Sequence, residues 1–202
     1  MSTELFGMPG SGKSTYLEAL GGTGDIRAGQ GKGGIRSALK KALMLTPYAV
    51  KKRRSLGRLI PLTEKKSIFS DYTLKEYANR LVLLSAVYHH SRRPVFMDEG
   101  IVHRIITLIL NYELTADLLC PLTALFEDAL SGVDVIYLDV PVNECLRRIH
   151  FRARKECALD MTGDDALVEY LQRYKELADL WKKDHSCTVI TNCDRMVNEN
   201  SR

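Results

Sequence analysis

Residues 6–15, FGMPGSGKST, place three glycines and a proline directly before a lysine and two hydroxyl residues. The spacing matches G-x-x-x-x-G-K-[ST]. A loop of this kind surrounds a phosphate with successive backbone N–H groups, and its glycines allow the close approach of the backbone. The pattern therefore predicts a phosphate-binding loop that consists of Gly7, Met8, Pro9, Gly10, Ser11, Gly12, Lys13, Ser14 and Thr15.

The residues on either side of this loop fit the same interpretation. A short strand is expected over 3–6 and a helix over 13–20, and a phosphate-binding loop of this type follows a strand and opens a helix. Lys13 would then reach the β- and γ-phosphates of a nucleoside triphosphate, and Ser14 would offer its hydroxyl to Mg²⁺. We therefore expect ATP and Mg²⁺ as the cofactors.

Two adjacent acids, Asp98 and Glu99, follow a short apolar run that ends at Met97. Asp98 could hold Mg²⁺ through water, which makes Ser14 and Asp98 the expected metal residues, and either acid could orient or deprotonate a phosphoryl acceptor. The same pair also occurs in ATPases, where the aspartate serves Mg²⁺ and the glutamate polarises water. The acids therefore leave a kinase and an ATP-hydrolysing protein open.

The hydrophobic pattern predicts strands separated by helices, which implies crossovers, a parallel sheet and helices on both faces. Ligands of such sheets bind at the carboxyl ends of the strands. We expect one α/β domain over 1–202, a three-layer sandwich of the P-loop NTPase type. The expected helices are 13–20, two short basic helices between 35 and 62 that Pro47 separates, 73–90, 101–111, 115–130, 143–154 and 165–183; the expected strands are 3–6, 95–97, 133–140 and 187–191.

Composition excludes several classes of protein. Hydrophobic residues make up 45% and charged residues 27% of the 202 residues, as in ordinary globular proteins. No apolar run approaches the ~18 residues that a membrane span requires, and the start of the chain does not resemble a signal peptide. The five cysteines lack C-x-x-C spacing and are expected to be reduced thiols. A cytoplasmic protein is therefore expected.

Positive charge is concentrated in the segment 27–66, which contains twelve lysines and arginines and a single acid, Glu64. This segment carries +11, so the rest of the chain must carry −7 to give the net charge of +4. The asymmetry predicts an anionic partner near the segment. The sequence leaves open an anionic acceptor, a nucleic acid end, an anionic membrane surface and a merely solvated face, and it also leaves a homodimer open.

The stretch VIYLDVPVNECLRRIHFRAR, residues 135–154, resembles the thymidylate kinase family and its nucleoside and nucleotide kinase relatives. Members have a strand, then L-D-V-P, then a helix that ends in R-I-x-x-R; here these are 138–141, Arg148-Ile149 and Arg152. With the phosphate loop and the helix 169–177, the likeness covers the first twenty and the last seventy or so residues. It implies that Arg148 and Arg152, in a lid region over 147–164, contact ATP and the phosphoryl group in transit.

The chain departs from these relatives after the strand that ends at Met97. Thymidylate kinases have Asp-Arg at this place and deoxynucleoside kinases have Glu-Arg, whereas this chain has Asp98 and Glu99. Arg104, about one turn into the next helix, could restore the missing charge. Thymidine monophosphate therefore cannot be inherited as the acceptor from the resemblance.

These observations favour an ATP-dependent phosphotransferase of the nucleoside and nucleotide kinase type, and they leave open whether its acceptor is anionic. In a nucleotide kinase the segment 27–66 would occupy the acceptor side or a cap. A P-loop ATPase that uses Asp98 and Glu99 is the main alternative, and a kinase of a polyanion or nucleic acid end is a further one. The expected catalytic residues are Lys13, Asp98, Glu99, Arg148 and Arg152.

Overall fold

The computed structural model describes residues 2–19, 42–91, 94, 96–151 and 158–191. Within these ranges the strands form one parallel sheet in the order β2-β1-β3-β4. The strands are β1 (Ser2–Phe6), β2 (Phe96–Met97), β3 (Val133–Asp139) and β4 (Thr188–Thr191). Parallel neighbours require crossover connections, which helices supply here. The predicted parallel α/β architecture is confirmed.

Helices connect the strands and pack around the sheet. They are α1 (Lys13–Ala19), α2 (Pro47–Leu59), α3 (Leu74–His90), α4 (Ile101–Asn111), α5 (Leu119–Leu125), α6 (Glu127–Leu130), α7 (Val142–Phe151) and α8 (Asp164–Asp184), with short 3₁₀ helices at Ala116–Leu118 and Ala158–Met161. At the start of α3, the Thr73 hydroxyl accepts from the amide of Glu76, whose carboxylate accepts from the amide of Thr73. This capping box fixes the first turn as the sequence predicts.

The single helix expected over 115–130 is wrong, because the structure divides it into a 3₁₀ turn and two short helices. Pro121 lacks the N–H that a continuous helix would need at this position. Phe126 then leaves the helical region at φ −111° and ψ 11°, and its amide bonds to the carbonyl of Thr123 at 3.0 Å. The Phe126 ring is fully buried. Burial of this ring accompanies the break in the helix.

Pro47 begins a helix instead of simply separating two of them. It is the first residue of α2, and Thr46 caps this helix by accepting a hydrogen bond from the amide of Ala49 at 3.3 Å. Proline fits the first turn because its missing N–H would have no partner there. The other expected basic helix falls largely on 35–41, which lie outside the described residues.

The centre of the sheet is covered by aromatic side chains from both strands and helix. Phe6 of β1 lies with its ring centroid 4.8 Å from that of Tyr137 of β3 and 5.3 Å from that of Trp181 of α8. These contacts anchor α8 across the two central strands, next to the loop that follows β1. None of the described helices is both long enough and apolar enough to cross a bilayer.

Candidate functional site

The predicted phosphate loop joins β1 to α1 and has a curled backbone. Gly10 and Gly12 have φ values of +81° and +92°, a region that residues with a Cβ rarely adopt. A Cβ on Gly10 would also lie 2.5 Å from the carbonyl oxygen of Cys145 in α7. The amide of Ser11 closes a turn on the carbonyl of Met8 at 3.1 Å. The glycines are therefore required both by conformation and by the close packing of α7.

Lys13 is the first residue of α1, and its side chain bends back into the loop. Its ammonium donates to the carbonyl of Gly7 at 2.9 Å and to that of Met8 at 3.0 Å. The residue is buried, so these bonds satisfy a charge that would otherwise be costly to desolvate. The contact holds the ammonium within the same loop that is expected to bind phosphate.

Ser14 and Asp98 meet at the carboxyl ends of the two neighbouring strands β1 and β2. The Ser14 hydroxyl donates to a carboxylate oxygen of Asp98 at 2.9 Å. Both side chains offer oxygen atoms, which are the ligands that Mg²⁺ prefers, and Mg²⁺ retains several of its waters in such sites. The residues present therefore fit the expected ion, with one hydroxyl and one carboxylate as ligands.

Glu99 lies beside Asp98 but faces a different partner. Its side chain is 54% exposed, and one of its oxygens lies 3.9 Å from the guanidinium of Arg104 in α4. This distance is too long for a hydrogen bond. Arg104 itself is only 13% exposed. The structure thus brings a nearly buried arginine close to Glu99, the residue that stands where the related kinases have an arginine.

Arg148 approaches the phosphate loop from α7. One of its guanidinium nitrogens donates to the carbonyl of Ser11 at 3.3 Å, and its Nε donates to Glu144 at 2.7 Å. Hydrogen bonds from Arg147, and to a lesser extent from Arg148, lower the pKa of Glu144 to about 2. This carboxylate therefore stays ionised, and it orients Arg148. Arg152, the second arginine of the predicted pair, lies outside the described residues.

Glu4 is a buried carboxyl that the motif patterns do not reveal. Its oxygens accept hydrogen bonds from the first amides of α4, at 2.9 Å from Ile101 and 2.6 Å from Val102. Burial raises its pKa to about 7, although these amide groups and the charge of Arg104 act in the opposite direction. A Cβ on Gly100 would collide with the Glu4 carboxyl. The one sequence signal was an acid directly before the apolar end of the predicted strand, Leu5 and Phe6.

A buried histidine and a buried tyrosine form a hydrogen bond beneath the phosphate loop. The His103 ring nitrogen Nδ1 lies 2.8 Å from the hydroxyl of Tyr174 in α8, and both groups also interact with the backbone of Gly7. Burial, followed by the charges of Lys13 and Arg104, holds the pKa of His103 well below its usual value. The imidazole is therefore neutral, and it supports the loop from α4. An isolated histidine gives no signal for this role in the sequence.

The described lysines and arginines of the basic segment 27–66 lie in different environments. Lys52 is buried, pairs with Asp128 at 2.8 Å and also donates to the carbonyl of Leu125. Arg53 bonds to Asn79 at 3.0 Å. Within the described part of this segment, the exposed cations without a side-chain partner are Lys51, Arg54, Arg58 and Lys66. Lys52 thus joins α2 to the rest of the fold instead of facing a ligand.

Comparison with solved structures identifies folds that match the entire chain. A deoxyadenosine kinase from M. mycoides with bound dATP has 16% sequence identity and a TM-score of 0.50; the match covers 100% of this chain and 97% of that one. The same enzyme with bound dCTP has 14% identity, with the same TM-score and coverage. No family model and no curated protein sequence matches the chain.

These matches agree with the strand order, the loop after β1 and the parallel sheet described above. At this level of identity they establish the fold, over the whole length of the chain. They offer no support for nucleic acid, a membrane surface or a homodimer as partners. The chain therefore has the P-loop NTPase α/β fold, in the form that solved P-loop nucleoside kinases have.

Proposed function

We propose that the chain is an ATP-dependent phosphotransferase, which transfers the γ-phosphoryl group of ATP to an acceptor with the help of Mg²⁺. The observation that carries the proposal is the 2.9 Å hydrogen bond between Ser14 and Asp98, beside a loop that encloses the ammonium of Lys13. This arrangement places a cation, a hydroxyl and a carboxylate at one edge of the sheet. Phosphoryl transfer requires such groups for charge neutralisation and positioning.

The phosphate loop supplies the binding of ATP in this proposal. The loop over 7–15 binds the phosphates through backbone N–H groups. Pro9 has no N–H, and the amide of Ser11 is bonded to the carbonyl of Met8. Lys13 exchanges its carbonyl partners for phosphate oxygens when the nucleotide binds. Ser14 and Asp98 would hold Mg²⁺, which would supply charge neutralisation to the bound triphosphate. Arg148 lies against the loop at Ser11 and neutralises charge that develops during transfer. The residues 152–157 of the expected lid 147–164 lie outside the described residues, so Arg148 is the one lid arginine that the proposal uses.

We assign to Glu99 the role of contacting the phosphoryl acceptor. Asp98 is directed at Ser14, which leaves the neighbouring carboxylate, 54% exposed, as the acid that an acceptor can reach. A carboxylate in this place orients the attacking oxygen and accepts its proton. A deoxyadenosine kinase is among the solved proteins with the same fold. We therefore propose nucleosides and nucleotides as the first acceptors to test, followed by sugar phosphates and oligonucleotide ends, with the cytoplasm as the expected location.

Transfer of labelled phosphate from [γ-³²P]ATP to a panel of these acceptors tests the proposal. We expect a labelled product that depends on Mg²⁺ and on one class of acceptor. The exposed acid pair also supports a second candidate, because water can reach Glu99 as readily as an acceptor can. An ATPase would release labelled inorganic phosphate at the same rate with and without every acceptor of the panel.

A further inference from the structure

Arg104 carries a positive charge that the described part of the protein neutralises poorly. Its side chain is 13% exposed, and its Nε is buried without a hydrogen-bond partner among the described residues. The carboxylate that lies within ion-pair distance, Glu99, is 3.9 Å away and mostly exposed. A guanidinium has five N–H donors, and leaving them unpaired in the interior is costly. The site therefore offers donors that still require an acceptor.

Glu4, the other acid near Arg104, does not accept hydrogen bonds from the guanidinium. Both carboxyl oxygens of Glu4 accept hydrogen bonds from the first amides of α4, those of Ile101, Val102 and His103. Glu4 acts on Arg104 only through space, and burial raises the pKa of its carboxyl to about 7, so that it is only partly ionised at neutral pH. A fixed internal anion for Arg104 is thus absent from the residues that the structure describes.

The surroundings hold the guanidinium in one place. Its carbon atom lies 5.9 Å from the centre of the Tyr77 ring, and the Tyr77 hydroxyl is bonded to Thr107 of the same helix as Arg104. An arginine over an aromatic face is held by the attraction between its charge and the ring. The group is therefore positioned before any ligand binds, with its terminal nitrogen towards Glu99.

We infer that Arg104 binds an anionic group, a phosphate or carboxylate, of the phosphoryl acceptor. The inference rests on the proposed kinase function and specifies its substrate class: a phosphorylated acceptor such as a nucleoside monophosphate or a sugar phosphate, and not a neutral nucleoside. Arg104 lies six residues after Asp98, at the end of the sheet where Ser14 is bonded to that acid. An anion bound there would be next to Glu99, the group assigned to the attacking oxygen.

The Arg104→Gln variant tests this inference, with Arg173→Gln as the matched control because Arg173 is an exposed arginine of α8. For each protein the KM values for ATP and for nucleosides and their 5′-monophosphates are measured by labelled phosphate transfer. We expect Arg104→Gln to raise the KM of the phosphorylated acceptor at least about tenfold, as for loss of a charged hydrogen bond. The KM for ATP should change less than about twofold, and the control should match the wild type.

A second measurement separates binding from catalysis and from folding. With ADP and Mg²⁺ saturating the phosphate loop, the nucleoside monophosphates of the panel and inorganic phosphate are tested for a shift of the melting temperature. We expect a shift in the wild type and in Arg173→Gln but none in Arg104→Gln. The unliganded Arg104→Gln protein should melt no lower than the wild type, because the substitution removes a poorly paired buried charge.

The outcomes distinguish this inference from the proposed function. Preferred phosphorylation of neutral nucleosides, or an unchanged acceptor KM in Arg104→Gln, would overturn the role of Arg104 while leaving the kinase intact. Anion binding that requires Arg104, without transfer to any acceptor, would retain the anion site and overturn the kinase. A lower melting temperature of Arg104→Gln with an unaltered shift by the anions would show that Arg104 serves the fold alone.

Discussion

The Ser14 hydroxyl donates a 2.9 Å hydrogen bond to the carboxylate of Asp98, a residue 84 positions later in the chain. The bond joins the first turn of α1 to the end of β2, so the two groups hold a fixed separation before any ligand binds. A hydroxyl and a carboxylate in this relation form an oxygen site for Mg²⁺.

Replacing Asp98 by asparagine keeps the size of the side chain and an oxygen for the Ser14 hydroxyl, but it removes the negative charge. We expect the affinity for ATP with Mg²⁺, measured by titration calorimetry, to fall roughly tenfold to a hundredfold. Binding of ATP in excess EDTA should change little. The matched control is Asp134→Asn, at an exposed position of β3. An equal loss with and without Mg²⁺ would show that Asp98 does not act through the metal.

The buried Glu4 should make the stability of the protein depend on pH. Burial raises its pKa from 4.5 to about 7 in the folded protein. Between these two pH values the folded state therefore retains a proton that the unfolded state has released. The stabilisation is complete below about pH 4.5 and is lost as the pH rises to about 7. The shift corresponds to about 3 kcal/mol of unfolding free energy.

Glu4→Gln isolates this contribution, because the amide cannot titrate. It keeps one oxygen for the N–H groups of α4 and loses the other acceptor, a loss that is the same at both pH values. Urea unfolding of both proteins at pH 4.5 and pH 7.5 gives the relevant difference. We expect the free energy of unfolding of Glu4→Gln, relative to the wild type, to increase by about 3 kcal/mol between the two pH values. A difference independent of pH would mean that the pKa of Glu4 is the same in the folded and unfolded states.

Lys51 and Lys52 are adjacent lysines that should respond to substitution in opposite ways. Lys52→Met removes the ion pair with Asp128 and the bond to the carbonyl of Leu125. We expect a loss of about 1–3 kcal/mol in the free energy of unfolding. Partial burial alone would raise the pKa of Asp128, but the hydrogen bond from Lys52 holds it below its usual value. Loss of Lys52 should therefore raise that pKa, as NMR titration of the carboxylate can detect.

Lys51→Met should leave the stability within about 0.5 kcal/mol, as for other exposed substitutions. If the exposed cations serve an anionic acceptor, combined replacement of Lys51, Arg54 and Arg58 by glutamine raises the acceptor KM and leaves the KM for ATP unchanged. The acceptor KM of the wild type should then increase steeply with salt. Unaltered KM values would indicate that these residues act only on solubility.

Glu99→Gln separates transfer to an acceptor from hydrolysis. A kinase must keep water from the γ-phosphate until its acceptor binds. We expect slow release of phosphate by the wild type alone, and acceptor-stimulated transfer that falls by a factor of roughly 100 or more in Glu99→Gln. Rapid hydrolysis without an acceptor, lost in the same variant, would favour the ATPase. Glu113→Gln, at an exposed glutamate that follows α4, is the control.

Much of the fold could be predicted because local signals determine it. The capping box of Thr73 and Glu76 gave the start of α3, and the glycine spacing gave the loop between β1 and α1. The break of the expected helix over 115–130 has one local signal, Pro121, which the prediction of a continuous helix left out of account. The second break, at Phe126, accompanies the burial of its ring and has no such signal. Amphipathic periodicity alone does not reveal such a break.

Some contacts of the candidate site could likewise be predicted from the sequence, and others could not. The contact between Ser14 and Asp98 followed from two motifs, because parallel strands bring their carboxyl ends to one edge of the sheet. The buried state of Lys52 could not be predicted, since its partner Asp128 lies on a different helix and a cation in a basic run looks exposed. The position of Glu4 against α4 likewise depends on a contact between residues almost a hundred positions apart.

The central claim is phosphoryl transfer that depends on Lys13, and Lys13→Ala tests it most directly. Transfer of label from [γ-³²P]ATP to the best acceptor of the panel is measured for this variant and the wild type, with circular dichroism as the check that both are folded. Because Lys13 neutralises phosphate charge during transfer, we predict a fall in kcat of roughly 100-fold or more with unchanged secondary structure. Wild-type turnover by a folded Lys13→Ala protein would contradict the account.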